Sequence, residues 1–319
     1  MIYLLNKLLL IFLILFLNLD AKSISRTQVI MSTYITINLD VKDEKYIEKG
    51  FDIFKDVEKS LSSYDKNAKI YKLNHSLHVE LDDYTYEALQ LSKKYYKDTN
   101  GYFDVTIGSI TKDLYRFGES QRVPNFDELT NAKLSMNSLH VEPRFAKIIK
   151  GMKVDLGGMG KGFGVDKVVE FYKQDGVKKG VISASGDIRC LSTCRVDVQN
   201  PFSNTSLVSF KTAKDNLGVS TSGNYERFVK SKKNNHLINP KKKQSQVNFI
   251  SITLIGGPSS ADLDAYTTAA SVMPNDRAYE FLNSLGVGYI VLDSDKKLFI
   301  SENIETYVKD LVINYAVKK

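Results

Sequence analysis

Between Val29 and Leu39 the chain alternates apolar and polar positions, the period of a half-buried strand, and one strand is expected there. From Tyr46 to Leu61 the apolar positions move to helical spacing. A polar segment runs to Asn74. "YTYEALQLSKKYYKDTNG" then predicts a second helix, stopped by Gly101. The stretch from Arg116 to Ser138 is polar and is expected to be irregular. "FAKIIKGMKVDLGG" reads as a strand entering a glycine cluster, and "KGFGVDKVVEFYKQDG" as a helix leaving it. Further strands are expected in "GVKKGVISASGDIRCL", "CRVDVQNP", "DNLGVSTSGNYERFVK" and "VNFISITLIGG". "SADLDAYTTAASVM" and "NDRAYEFLNSLG" have helical spacing, and "VGYIVLDSDKKLFIS" closes as a strand hairpin. Helices and strands mix without strict alternation, which predicts an α+β fold rather than a doubly wound sheet. No internal repeat or long linker breaks the pattern.

The first residues depart from it. Lys7 precedes an unbroken apolar run from Leu8 to Leu17, and Ala21 follows as a small residue suited to a cleavage site. The run is short for a membrane span, so residues 1–21 read as a secretory signal peptide and 22–319 as one domain. An uncleaved anchor is the alternative. No Cys lies near this segment, which argues against a lipoprotein start, so the expected location is the periplasm. The two cysteines, Cys190 and Cys194, have the wrong spacing for a thioredoxin-like motif. With no further metal ligands beside them, a structural bridge or two unpaired thiols remain.

Composition is that of a soluble globular protein: 319 residues, 43% hydrophobic and 25% charged. The formal charge of +7 gathers in "VKSKKNNHLINPKKKQ", which reads as a solvated basic loop or as an attractor for an anionic ligand. No nucleic-acid-binding signature accompanies it.

The glycine cluster "VDLGGMGKGFGVDKV" fails both familiar phosphate motifs, because Phe163 stands where a P-loop needs Lys and where the dinucleotide fingerprint needs its third Gly. A tight glycine turn before a helix still offers backbone donors to an anion, with Lys161 and Lys167 adding charge. Close strand–helix packing explains the glycines equally well. Asp264 and Thr268 lie four apart on a predicted helix, so both oxygens share one face. With a backbone carbonyl they form a sparse oxygen set of the kind Mg²⁺ accepts. Helix capping is the competing explanation.

Eight segments in order, "MSTYITI", "SSYDKNAKIYKLN", "TNGYFDVTIGSI", "VDLGGMGKGFGVDKV", "SASGDIR", "VSTSGNYERF", "HLINP" and "DAYTTAASV", resemble the ApbE family, the FAD:protein FMN transferases, from Met31 to about Met273. The resemblance implies a T-fold-related α+β domain with mixed sheets, packed helices and an FAD site in a central cleft. It also implies a Mg²⁺-dependent transfer of FMN from FAD to a Thr or Ser of a target redox protein, with release of AMP. The targets of the family carry a D-G-x-[S/T]-G-[A/S]-[S/T]-type motif, which this chain lacks. By the same resemblance Asp264 and Thr268 are side-chain metal ligands, and Gly158 supplies the backbone carbonyl. Tyr64 packs on the flavin, and Met31 opens its pocket. Tyr102, Phe103 and Asp104 lie against the cofactor, Asp155 and Lys161 contact FAD, and Thr221, Ser222 and Gly223 form a turn near the phosphates. His236 lies near the reacting phosphate, where it either hydrogen-bonds a phosphate oxygen or assists proton transfer.

Two departures touch recognition. Ser185 replaces a glycine before Gly186 and Asp187, and a lysine-rich run follows Pro240. Acceptors are expected to be exported or membrane-anchored flavoproteins. An FAD pyrophosphatase using the same residues, and a periplasmic flavin-binding protein without chemistry, are the alternative functions.

Overall fold

The computed structural model describes residues 23–315, so the expected signal segment and its cleavage after Ala21 lie outside the described residues. An eight-stranded sheet organises the chain. Its strands are β1 (Ser23–Ile30), β2 (Thr33–Asp40), β3 (Gly180–Ala184), β4 (Asp187–Cys190), β5 (Leu217–Gly223), β6 (Phe249–Gly256), β7 (Gly288–Asp293) and β8 (Leu298–Ile300). They lie side by side in chain order, and every neighbouring pair is antiparallel. The sheet is thus a meander whose turns have been opened to admit helices and smaller sheets.

Strand alternation decides which face each insertion covers. On one face Ile35, Ile37, Leu39, Ile182, Ile252 and Leu254 are buried against helices. These are α1 (Ile47–Leu61), α2 (Lys69–Ser76), α3 (Asp83–Asp98), α4 (Gly160–Gln174), α5 (Ser260–Val272) and α6 (Asn275–Ser284). On the opposite face Val219, Ile255, Ile290 and Leu292 meet a second sheet of Arg195–Gln199, Ser206–Thr212 and Val308–Ile313. Helices, main sheet and second sheet form three layers, an α+β arrangement with several sheets and packed helices. Among the described residues no helix is long and apolar enough to cross a membrane.

Several expectations need correction. The single strand expected from Val29 to Leu39 is two strands, reversed at Met31 and Ser32. Both turn residues are left-handed, with φ of 55° and 57°, as a type I′ hairpin turn requires. Neither is Gly, Asn or Asp, so the usual turn signal is missing. The polar segment before Asn74 contains α2, and the stretch expected to be irregular contains a short helix at Phe126–Asn131, whose N-terminus is closed by a capping box from Asn125 and Glu128. The chain also does not close with its last hairpin, because Val308–Ile313 returns to pair with Ser206–Thr212. Cys190 and Cys194 are bridged, which settles the alternative of unpaired thiols.

Candidate active site

Antiparallel order brings the start of β2, the β3–β4 turn, the end of β5 and the start of β6 to one end of the main sheet. The N-terminus of α4 and the buried side of α5 complete a cavity of about 680 Å³ there, within the roughly 300–1,000 Å³ usual for ligand pockets. Every residue that the family resemblance assigned to the site lines this cavity. Lys167, expected to add charge at the glycine turn, does not, and pairs instead with Glu87 and Glu170.

Its floor is charged. Lys161, in the first turn of α4, places Nζ 2.8 Å from Asp187 on β4 and 3.3 Å from Asp264 on α5. Both carboxylates are almost fully buried. Burial, and then the charge of Asp187, push the Asp264 carboxyl up to about 7. Burial opposes the charged form of Lys161, but the two carboxylates outweigh it and hold the ammonium above its ordinary value. With both carboxylates ionised the trio carries one net negative charge. Sequence reasoning missed Asp187. Its signal in the sequence is the "GD" that follows Ser185 at the β3–β4 turn.

The oxygen donors expected for a cation converge beside this trio. Thr268 Oγ1 lies 3.3 Å from the Gly158 carbonyl and 3.4 Å from Ser222 Oγ. A Cβ on Gly158 would sit 3.0 Å from Thr268 Cγ2, so glycine permits the close approach. Among the described residues no group of three or more His, Cys, Asp or Glu is arranged to hold a metal. The set is therefore one carboxylate, one hydroxyl and one carbonyl. These hard oxygens suit Mg²⁺ when water or substrate phosphate completes the shell.

A second ion cluster forms the side wall. Asp155 Oδ2 accepts from Thr111 Oγ1 at 2.6 Å, and Oδ1 accepts from the Gly157 N–H at 3.0 Å. Lys112 Nζ is 3.4 Å from Asp155, donates to Tyr64 Oη at 2.7 Å, and lies 3.9 Å from the centre of the Tyr64 ring. Tyr64 in turn donates to the Phe117 carbonyl. Burial raises the Asp155 carboxyl, yet Lys112 and the two hydrogen bonds bring it below the usual carboxylate range. Lys112 was also missed, since a single lysine in a helical turn gives no sequence signal.

The remaining expected residues divide by how they face the cavity. Met31 occupies the left-handed hairpin turn, where its N–H donates to Glu58. Tyr102 carries Lys241 Nζ 4.3 Å from its ring centre. Phe103 is 4% exposed and packs edge-on against Tyr95, so it is as much core as lining. Asp104 accepts from the N–H and hydroxyl of Thr106, and burial pushes its carboxyl up. Thr221, Ser222 and Gly223 are not the expected turn but the last three residues of β5, paired with β6. Thr221 shares its hydroxyl with Thr253 on β6, while Gly223 closes β5 against the Tyr225 ring.

His236 follows the short hairpin of Phe228–Val229 and Ser231–Asn235. Its backbone N–H and ring Nδ1 both lie 3.1 Å from the Arg227 carbonyl. A carbonyl only accepts, so Nδ1 carries the proton and the neutral ring keeps its lone pair on Nε2. Burial in the concave wall, with the charges of Arg227 and Lys161, pulls the imidazole down to about 4. The ring is thus neutral at physiological pH.

Fold and site together define an α+β protein whose ligand cleft lies at one end of an antiparallel meander and combines hard oxygen donors with a neutral imidazole. The description "ApbE family" fits residues 31–291, and the chain belongs to that family. Among curated relatives, the FAD:protein FMN transferase of Haemophilus influenzae is 26% identical over 296 residues, covering 83% of each chain. That of Buchnera aphidicola (subsp. Schizaphis graminum) is 26% identical over 237 residues, covering 68% of this chain and 69% of its own. The same fold occurs in the ApbE protein of Thermotoga maritima, with TM-score 0.82 and 21% identity over 91% of this chain and all of that one. The flavin transferase ApbE of Vibrio cholerae gives TM-score 0.77 and 20% identity, covering 90% and 99% of the two chains.

Proposed function

We propose that the protein is a Mg²⁺-dependent FAD:protein FMN transferase. The observation that carries this reading is the meeting, in one cavity, of a neutral imidazole with the Asp264, Thr268 and Gly158 oxygens and the Tyr64 wall. Tyr64 and Met31 would receive the isoalloxazine of FAD, and the α4 N-terminus and Lys161 its pyrophosphate. Asp264, Thr268 and the Gly158 carbonyl would hold Mg²⁺. The chemistry supplied by a bound ion there would be neutralisation of pyrophosphate charge and stabilisation of the leaving AMP oxygen.

A Thr or Ser hydroxyl of the acceptor protein attacks the flavin-side phosphorus. The new phosphoester bond forms as the bond from that phosphorus to the AMP oxygen breaks. Nε2 of His236 takes the hydroxyl proton and later releases it to solvent, while AMP departs. The tautomer favours this base role over donation to a phosphate oxygen, because Nε2 has no proton to give. Acceptors are exported or membrane-anchored flavoproteins, and the enzyme works in the periplasm. The Cys190–Cys194 bridge is consistent with an oxidising compartment.

The test combines the purified protein, FAD, Mg²⁺ and a protein bearing the family's acceptor motif, read by in-gel flavin fluorescence and AMP release. A fluorescent acceptor with matching AMP is expected. FMN and AMP without labelling would replace the reading by FAD hydrolysis, and bound FAD without turnover by a flavin-binding role.

A further inference from the structure

The chain from Arg227 to Lys243 contains seven basic residues and no acidic one. It is not a loose loop. It folds as two small hairpins, Phe228–Val229 with Ser231–Asn235 and Ile238–Asn239 with Gln244–Ser245. The buried Asn235 and Asn239 side chains tie them down, with Asn235 donating to the Gln246 carbonyl and Asn239 to the Val272 carbonyl at the end of α5. The same hairpins give His236, Leu237, Ile238 and Pro240 to the wall of the active-site cavity. Their lysines therefore stand in fixed relation to the reacting end.

Lys230, Lys232, Lys233 and Lys242 are exposed, and among the described residues none has a carboxylate within ion-pair distance. Such uncompensated charge costs folding energy through self-repulsion and gives nothing back within the chain. Beside the hairpins a second depression, lined by Lys97, Lys241 and Lys243, shares Asp104 and Pro240 with the cavity wall. A depression lined by lysines thus adjoins the catalytic end, next to hairpins that carry the exposed lysines.

We infer that this basic face is the docking surface for the acceptor polypeptide, and that it selects acceptors whose flavinylated Thr or Ser is flanked by acidic residues. The inference rests on the transferase reading for the identity of the partner. Charge complementarity argues for the occupant: a segment rich in Asp and Glu matches an unpaired cationic face, and rim charges act mainly on association rate and selectivity. The cavity assigned to FAD by that reading is lined by none of Lys230, Lys232, Lys233 and Lys242.

The test uses the full chain with two fluorescein-labelled peptides of equal length that share the acceptor motif. One has Asp and Glu flanks, the other Asn and Gln. Anisotropy reads binding directly, independent of chemistry, and flavin incorporation reads transfer. The acidic peptide is expected to bind about tenfold more tightly at low ionic strength, with the difference collapsing in high salt. The triple variant Lys230→Glu, Lys232→Glu, Lys233→Glu should erase the preference and leave FAD affinity unchanged. Equal binding of the two peptides, or a preference that survives the triple variant, overturns the inference. So does an unaltered peptide preference accompanied by loss of binding to phosphatidylglycerol vesicles, which would assign the face to a membrane. If the acidic peptide binds selectively but is never labelled, the docking surface stands and the transferase reading falls.

Discussion

At the scale of single residues, the environment of His236 dictates when it works. The imidazole is held down to about 4 in the folded state, below its ordinary 6.5. Its base form is therefore already present throughout the range where a solvent-exposed histidine would still be gaining a proton. The acid limb of kcat/KM assigned to His236 should fall near 4, with no inflection near 6.5. A limb near 6.5 that disappears in His236→Gln would show the ring to be in a different environment. That variant should lose roughly 10²–10⁴ in kcat while retaining FAD affinity, measured by flavin fluorescence quenching. Asp264→Ala is expected to cost metal-dependent turnover at least about 100-fold, since charge stabilisation at the leaving group goes with it. Unchanged AMP release by that variant would displace the metal site.

Lys112 and Asp155 obey a different rule, because each is the other's counter-charge in a poorly solvated wall. Removing one partner leaves a buried charge, at a cost on the order of 3 kcal/mol. Lys112→Met should lose about that much stability in urea at neutral pH. The folded Asp155 carboxyl lies below its unfolded value, so the stabilisation is present above the ordinary carboxylate range and fades as pH falls through the folded value. The deficit of the variant should accordingly shrink in acid. A constant deficit at all pH values would point to lost packing instead.

At the scale of elements, the glycine cluster has two separate uses. Gly158 lets Thr268 approach the turn, whereas Gly162 lets two helices touch: a Cβ there would lie 2.2 Å from the Ser260 carbonyl. Asp166, one turn further along α4, accepts from the N–H groups of Ser260 and Ala261 and fixes the start of α5 against it. Gly162→Ala should force α4 and α5 apart and cost about 1–3 kcal/mol, seen as a lower thermal midpoint. A wild-type midpoint would mean that the crossing yields without strain.

These elements also show what the sequence could convey. Helices α1, α3, α4, α5 and α6 are legible from helical spacing, α3, α4 and α6 also from a glycine shortly after the last turn and α5 from its Ser259 cap. The β1–β2 reversal was not, because its Met31–Ser32 turn is held by the sheet and by Glu58 rather than by residues suited to left-handed backbone. Strand Val308–Ile313 was missed for a related reason: its pairing partner lies about a hundred residues earlier, and no local pattern encodes such distant pairing. Within the site, the residues carried by family resemblance fell together. Asp187 and Lys112 needed three dimensions, since their importance lies in which charges they meet.

At the scale of the whole molecule, three layers are joined by few covalent constraints. The Cys190–Cys194 bridge closes a loop with a sequence separation of only 4. A loop so short removes little entropy from the unfolded chain, so the bridge is worth roughly 2 kcal/mol on the chain-entropy view. The double variant Cys190→Ala, Cys194→Ala should remain folded with a stability loss of about that size in urea. Failure to fold would show that the bridge organises the second sheet as well as pinning its edge.

The meander order has a consequence for how the protein comes into being. β1 and β2 belong at one edge of the sheet, yet β3, the next neighbour of β2, follows only after roughly 140 intervening residues. A chain delivered N-terminus first, by a ribosome or across the membrane to the periplasm proposed above, presents the first hairpin before its partner strand. During that interval the unpaired edge of β2, with Ile35, Ile37 and Leu39 beside it, is available to any other extended chain. A newborn chain of this design depends on being held apart from its siblings until strand β3 arrives.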